Sequence, residues 1–155
     1  MAVSMAAGLS NNLHARRFVK FCIVGASSTT IQMVTLRVFL WLMGSNADTT
    51  VQIGNALGVA LAIVNGFYWN RRWTFRKGHT LGAARQFRTF VMVSLVGFGL
   101  NNALFGLFYV KLRLFPQIAE LGGKELQANA CQLLAIAFVV IWNFTANTRW
   151  TFNVD

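Results

Sequence analysis

Four long apolar segments restrict this chain to one class of fold. They cover about residues 18–43, 51–69, 90–110 and 128–145. A helix needs roughly 20 apolar residues to cross a bilayer, and each segment is close to that length or longer. Charged residues make up only 12% of the 155 residues, whereas soluble domains carry about 25%. The sequence therefore predicts an all-α integral membrane protein, with four transmembrane helices in a single membrane domain over residues 1–155.

A six-residue pattern, which we call the hexapeptide, follows an apolar segment in each half of the chain. Residues 70–75 read Asn-Arg-Arg-Trp-Thr-Phe, and residues 147–152 read Asn-Thr-Arg-Trp-Thr-Phe. The first segments of the two halves also correspond, because Phe-Val and Val-Gly pairs occur at the same spacing in both. These matches predict two tandem repeats, at about 17–75 and 88–152, joined by a loop at about 76–89.

Each predicted repeat is a hairpin of two spans, so it enters and leaves the membrane at the same surface. Two such hairpins in tandem are parallel repeats, related by an axis along the membrane normal. Both hexapeptides would then lie at one membrane surface, where they could share one ligand.

The basic residues predict which surface that is. Ten lysines and arginines fall on the side of the hexapeptides and three on the opposite side. The positive-inside rule therefore predicts cytoplasmic N- and C-termini and a cytoplasmic loop. No cleavable signal is evident, so the first apolar segment is expected to remain as a span. The same rule accounts for the net charge of +10, and nucleic-acid binding is not expected.

The hexapeptides contain the candidate residues for binding a phosphate-bearing headgroup. An arginine fork pairs bidentately with phosphate, an asparagine completes the shell, and an indole stacks on a sugar or lies along a lipid chain. The alternative is that arginine and tryptophan simply mark the membrane interface. An interfacial belt needs no fixed residue order, so the repeated order favours binding. The candidates are Asn70, Arg72, Trp73, Asn147, Arg149 and Trp150.

Polar residues inside the predicted spans are candidates for lining a passage for the headgroup. The alternative is hydrogen bonding between packed helices, which is common for such side chains in membranes. Arg37 lies within the first span, where it would either snorkel to the outer surface or contact an anion there. The candidate passage residues are Thr29, Thr30, Gln32, Asn101, Asn102 and Asn143.

Several kinds of chemistry lack the residues that they need. The four acidic residues lie outside the predicted spans, which disfavours proton- or sodium-coupled exchange through a membrane carboxylate. No nucleophile–base pair or metal-ligand spacing is evident, so we expect no enzyme activity, metal or cofactor. Cys22 and Cys131 fall in apolar segments and are expected to be buried small hydrophobic residues.

The pattern resembles the GtrA-like family of small bacterial membrane proteins. The resemblance covers about residues 17–152 and rests on the four spans, the Arg-Phe-Val-Lys-Phe opening at 17–21, Gly25 and the paired hexapeptides. It implies a translocase (flippase) in the bacterial cytoplasmic membrane, moving a polyprenyl-phosphate-linked sugar for modification of cell-surface polysaccharide. Position 148 is Thr where the first hexapeptide has Arg71, so the resemblance implies no shared role there.

Three functions remain open at this point. The first is the lipid-linked sugar translocase, and the second is a non-transporting membrane partner that anchors a polyprenyl-phosphate glycosyltransferase. The third is a small channel or exporter for another anionic or amphipathic solute. A homodimer is also open, because Gly54, Gly58, Ala62 and Gly66 form a ridge of small residues on the second span. Such a ridge serves either a dimer or packing within the chain, and we favour internal packing.

Overall fold

The computed structural model describes residues 2–76, 82–111 and 113–153, with side chains from residue 13 onward. Within these ranges the regular structure is entirely helical. Four helices are long and apolar enough to cross a membrane, so the prediction of an all-α, multi-pass membrane protein is confirmed. The α-helices are α1 (Ala2–Met43), α2 (Asp48–Trp69), α3 (Ala83–Gly106) and α4 (Pro116–Ala146). Three π-helices continue from α2, α3 and α4, namely Asn70–Thr74, Leu107–Lys111 and Asn147–Thr151.

The helices extend beyond the predicted spans. Most of the stretch between the third and fourth predicted spans is helical, where the sequence indicated a loop, because α4 begins at Pro116. Proline suits the first turn of a helix, where its missing N–H is not needed. The helix is interrupted at Gly122 and Gly123, where the backbone is non-helical and Gly123 has φ of 76°. Glycine adopts this left-handed conformation without the steric penalty that a side chain brings.

Two compact units make up the chain, residues 1–81 and 82–153. The first pairs α1 with α2 and the second pairs α3 with α4. The boundary between them falls within the loop predicted at 76–89, part of which (77–81) lies outside the described residues. In both units many large apolar side chains are exposed, as expected for helices whose outer faces contact lipid.

Close approach of α2 to α1 depends on the glycine ridge. A Cβ atom at Gly58 would lie 2.7 Å from the carbonyl oxygen of Gln32, and one at Gly54 would lie 2.8 Å from Cδ1 of Phe39. Because glycine has no Cβ atom, the two helices can approach this closely, and van der Waals packing between them then replaces contacts with lipid. Internal packing is therefore confirmed for Gly54 and Gly58.

Side-chain hydrogen bonds also join α1 to α2. The Asn65 amide donates to the hydroxyl oxygens of Ser27, at 3.1 Å, and Ser28, at 3.0 Å. Gln32 Nε2 donates to Asn55 Oδ1 at 3.1 Å. These bonds satisfy polar groups that would otherwise face hydrocarbon.

Substitution of Asn65 by alanine is expected to lower the free energy of unfolding by about 1 kcal/mol, because each interhelical hydrogen bond in a membrane protein contributes roughly 0.6 kcal/mol. Asn102→Ala is the matched control, since the Asn102 amide bonds only to the Phe98 carbonyl of its own helix, at 2.9 Å. Unfolding of both variants would be followed by circular dichroism during titration with a denaturing detergent. Equal unfolding midpoints for the two variants would contradict a stabilising role for Asn65.

The core of the second unit lies between α4 and the π-helix Leu107–Lys111. Cys131 and Ala135 are completely buried against Phe108. The expectation for Cys131 is thus confirmed, whereas Cys22 is exposed and the expectation of burial is wrong for it. Cys22 lies on the outward face of α1, which the apolar composition of the span alone does not reveal.

Candidate functional site

Both hexapeptides fold into the same local structure. Each begins a π-helix that ends in a hydrogen bond across five residues, from Phe75 N to Asn70 O at 2.8 Å and from Phe152 N to Asn147 O at 2.9 Å. Single π-helical turns within α-helices occur frequently at functional sites. The wider turn changes which side chains face the neighbouring helix, and it divides each hexapeptide into a buried and an exposed half.

The phenylalanine of each hexapeptide anchors its π-helix to the first helix of the same unit. Phe75 and Phe152 are buried, with exposed fractions of 1% and 0%. The ring of Phe75 lies 6.4 Å from that of Phe21 on α1. The ring of Phe152 lies 6.5 Å from that of Phe90 on α3. Tilted ring pairs at this separation are favourable, so the end of each hairpin has a fixed position.

The asparagines lie inside the hairpins. Asn70 and Asn147 have exposed fractions of 3% and 1%. The Asn147 amide donates to the Asn143 carbonyl at 2.7 Å, and its Oδ1 accepts from Thr151 Oγ1 at 2.8 Å. In the first unit, Asn70 Oδ1 and Thr74 Oγ1 are buried without a hydrogen-bond partner. The structure thus places the predicted asparagines next to the site, with their side chains buried.

Arginine and tryptophan form the outward half of each hexapeptide. Arg72 and Arg149 are exposed and Trp73 is half-buried. The Lys20 ammonium lies 5.2 Å from the Trp73 ring centre, within the range of a cation–π contact. Trp150 is 57% exposed. These are the groups that a ligand can reach.

A cavity of about 650 Å³ opens beside the first hexapeptide, and we call it the basic cavity. Three guanidinium groups and several aromatic rings line it, a combination that suits a ligand carrying both an anion and a ring-shaped polar group. Its volume lies within the range of about 300–1,000 Å³ that is usual for small-molecule sites. The lining residues are Phe67, Tyr68, Trp69, Arg71, Arg72, Trp73 and Arg76.

Two further cavities of the first unit share Trp73 as a wall. The apolar groove, of about 290 Å³, is lined by Ile23, Val24, Ser27, Trp69 and Trp73. The N-terminal cavity has a volume of about 230 Å³, and the buried, unpartnered hydroxyl belongs to one of its lining residues, Thr74. The remaining lining residues of the N-terminal cavity are Leu13, Arg16, Arg17, Lys20, Phe75 and Arg76.

Sequence reasoning did not assign Arg71, Arg76 or the basic residues of α1 to this site. It used their charge only to predict orientation. The signal available was the run Arg-Arg-Trp-Thr-Phe-Arg at 71–76, but the approach of α1 to this run depends on the hairpin packing. The aromatic wall formed by Tyr68 and Trp69 was also missed, because these residues read as the end of an apolar span.

The predicted passage residues form hydrogen bonds of two kinds. Thr29, Thr30 and Asn102 donate to carbonyls of their own helices, at 3.2, 3.1 and 2.9 Å. Gln32 bonds across to α2, and Gln132 Nε2 donates to Asn101 Oδ1 at 3.4 Å. The bonds of Gln32 and Asn101 join two helices and match the packing interpretation, whereas the other three are local to one helix. The passage stays a prediction.

Asn143 and Arg37 are the remaining predicted residues. Asn143 Oδ1 is buried with no hydrogen bond, close to the face of α3 at Gly97. Arg37 is exposed on α1, which is compatible with either of its predicted roles. Among the described residues, no group of three or more His, Cys, Asp or Glu side chains could hold a metal ion.

Comparison with known protein families identifies the family of this chain. The family model for the GtrA/DPMS transmembrane domain matches residues 20–152. These residues include more than half of α1, all of α2, α3 and α4, and both hexapeptides. Among curated proteins, none matches the chain significantly. The match covers most of the 155 residues, and the chain therefore belongs to the GtrA/DPMS transmembrane domain family.

Proposed function

We propose that the protein is a translocase for a polyprenyl-phosphate-linked sugar in the bacterial cytoplasmic membrane, serving modification of cell-surface polysaccharide. The family is linked to membrane proteins that handle polyprenyl-phosphate sugars. The observation that carries the proposal is the shared wall at Trp73, which joins a cavity with three arginines to an apolar groove. A lipid-linked sugar phosphate has the same two-part chemistry.

In this proposal each part of the ligand has its own contacts. Arg71, Arg72 and Arg76 neutralise the phosphate through charge-assisted hydrogen bonds. The rings of Tyr68 and Trp73 present faces on which a sugar packs. The first isoprene units lie in the apolar groove, and the rest of the chain stays in lipid. This division suits a lipid carrier, because only the headgroup needs a polar site.

The second hexapeptide provides related groups in the second unit, where Arg149 is exposed beside Trp150. We propose that the two halves are parallel repeats with cytoplasmic termini, so that both hexapeptides meet the inner leaflet. The acidic residues lie outside the apolar centres of the predicted spans, so the proposed movement follows the substrate gradient without a coupling ion. Synthesis of the lipid-linked sugar on one side and its use on the other maintain that gradient.

Transport would be tested with the protein reconstituted in vesicles that contain a fluorescent polyprenyl phosphate sugar. Arg72→Ala and Arg149→Ala are each expected to slow translocation about tenfold, because a hydrogen bond to a charged group contributes roughly 1.5 kcal/mol or more. Arg88→Ala is the control: this arginine is exposed on α3 and lies outside both hexapeptides. Translocation at the wild-type rate by the Arg72→Ala/Arg149→Ala double variant would show that the assigned site is wrong.

A second candidate is a non-transporting partner of a membrane glycosyltransferase. It is favoured by the hydrogen bonds of the predicted passage, since Thr29, Thr30 and Asn102 bond within their helices and Gln32 bonds to Asn55. Co-purification with a transferase and no translocation by the pure protein would support this candidate. Translocation by the pure protein without any transferase would exclude the need for a partner.

A further inference from the structure

A second cavity with basic residues lies in the α3–α4 unit, at the end away from the second hexapeptide. We call it the distal cavity. It has a volume of about 490 Å³ and contains the side chains of two cations, Arg113 and Lys124. Glu120 and Glu125 are exposed on α4, and neither lines the cavity. The remaining lining residues are Tyr109, Val110, Pro116, Ala119 and Gln127.

The backbone at this cavity is strained and held in place. Arg113 and Phe115 have φ angles of 46° and 60°, a left-handed conformation that costs a residue with a side chain roughly 1–2 kcal/mol. Two hydrogen bonds fix the loop, from Leu114 N to Phe108 O at 2.9 Å and from Gln127 Nε2 to Leu114 O at 2.8 Å. Strain that the surrounding structure maintains in this way clusters at ligand sites.

An aromatic ring stack and a break in α4 shape the other walls of the distal cavity. The rings of Tyr109 and Phe105 stack with their centres 5.6 Å apart and their planes within 7° of parallel. The break at Gly122 and Gly123 separates the first turns of α4 from the rest of the helix. As a result Lys124, after the break, lines the same cavity as residues that precede it.

The distal cavity and the second hexapeptide lie at opposite ends of the α3–α4 hairpin. The contact of Phe152 with Phe90 places the π-helix Asn147–Thr151 near the start of α3. From Ala83 to Lys111 the helical span has 29 residues, or about 43 Å at 1.5 Å per residue. This length exceeds the hydrocarbon core of roughly 30 Å. A bilayer crossed by α3 would therefore have Arg113 beyond its core, at the surface opposite the second hexapeptide.

We infer that the distal cavity binds the phosphate of a lipid headgroup at the membrane surface opposite the second hexapeptide. Arg113 offers a planar fork of donors and Lys124 a mobile ammonium, which together match a phosphate group. Tyr109 and Val110 present apolar surface for the adjoining chain. Phospholipids such as phosphatidylglycerol and polyprenyl phosphates share this chemistry. The inference uses only residues of the second unit and stands without the proposed transport function.

Photocrosslinking of the full chain in vesicles tests the inference. Two probes are used in separate vesicle preparations, a photoactivatable phosphatidylglycerol and a photoactivatable polyprenyl phosphate, and labelled peptides are identified by mass spectrometry. Labelling within residues 109–127 is expected to fall about fivefold to tenfold in the Arg113→Gln/Lys124→Gln variant, as for loss of charge-assisted contacts at an exposed site. The circular dichroism spectrum and unfolding midpoint of the variant, compared with those of the wild type, show whether it folds.

Lys111→Gln is the matched control, because it removes one cation at the same end of the unit from a residue that does not line the cavity. If the double variant does not fold, Lys124→Gln alone carries the test, since Lys124 is exposed on α4. Loss of labelling with either probe supports the inference, and the probe that labels more strongly identifies the lipid class. Unchanged labelling in the double variant, or an equal loss in Lys111→Gln, would overturn it.

Discussion

Replacing Trp73 with alanine is expected to weaken the binding of a polyprenyl-phosphate sugar at least about 30-fold, the effect of losing a central aromatic contact worth roughly 2 kcal/mol or more. Trp73 borders the basic cavity, the N-terminal cavity and the apolar groove. Its loss would merge the three spaces and remove the ring that packs on the ligand. Dissociation constants for the full chain in neutral detergent, measured with a fluorescent lipid-linked sugar, provide the readout.

Two further variants test whether the effect is specific to the position of Trp73 and to its aromatic ring. Trp41→Ala is the matched control, because Trp41 is 79% exposed on α1 and borders none of these three spaces; it is expected to bind as the wild type does. Trp73→Phe keeps an aromatic wall and is expected to retain most of the affinity. Equal affinities of Trp73→Ala and Trp41→Ala would remove Trp73 from the binding site.

Replacing Gly58 with alanine is expected to lower the free energy of unfolding by about 2–3 kcal/mol, within the usual range for overpacking a tight contact. The new Cβ would lie 2.7 Å from the Gln32 carbonyl oxygen. Because that oxygen belongs to the backbone of α1, it cannot move aside as a side chain does, so the two helices must separate. The hydrogen bond between Gln32 and Asn55 would weaken at the same time.

Gly25→Ala is the control for Gly58→Ala, since a Cβ at Gly25 meets nothing within 4 Å. This change is expected to stabilise α1 by up to about 1 kcal/mol through helix propensity. Gly54→Ala should lie between the two, because the nearest atoms there are side-chain carbons of Phe39 and Leu36, which can shift more easily than backbone. The three unfolding midpoints would be compared in one denaturing detergent. A Gly58→Ala protein as stable as Gly25→Ala would contradict close packing at the ridge.

Much of the architecture is a direct consequence of the sequence. The length of the apolar segments is enough to predict four membrane helices, because a bilayer requires that backbone polar groups be satisfied within each span. The glycine ridge of α2 was also readable, since small residues at helical spacing have few uses besides close packing. Helix ends were less predictable: the segment after Leu112 looked like a loop, yet it is helical from Pro116.

The sequence by itself determined that each hexapeptide lies at the end of a membrane helix and contains cationic and aromatic groups. Only the tertiary structure decided which of these groups a ligand can reach. The π-helical turn buries Asn70, Thr74 and Phe75 and leaves Arg72 exposed, because its wider turn changes the direction of each side chain. Helical periodicity in a sequence assumes a regular 3.6-residue repeat, so it cannot anticipate that change.

The tertiary structure also decided which residues make up the candidate site. Arg16, Arg17 and Lys20 join Thr74 and Arg76 in the N-terminal cavity, although more than fifty residues of chain separate the two groups. Their meeting depends on the packing of α2 against α1, which the ridge at Gly54 and Gly58 permits. Sequence reasoning counts charges on each side of a membrane, whereas a binding site requires distances between them, and those distances are set by how closely the helices pack.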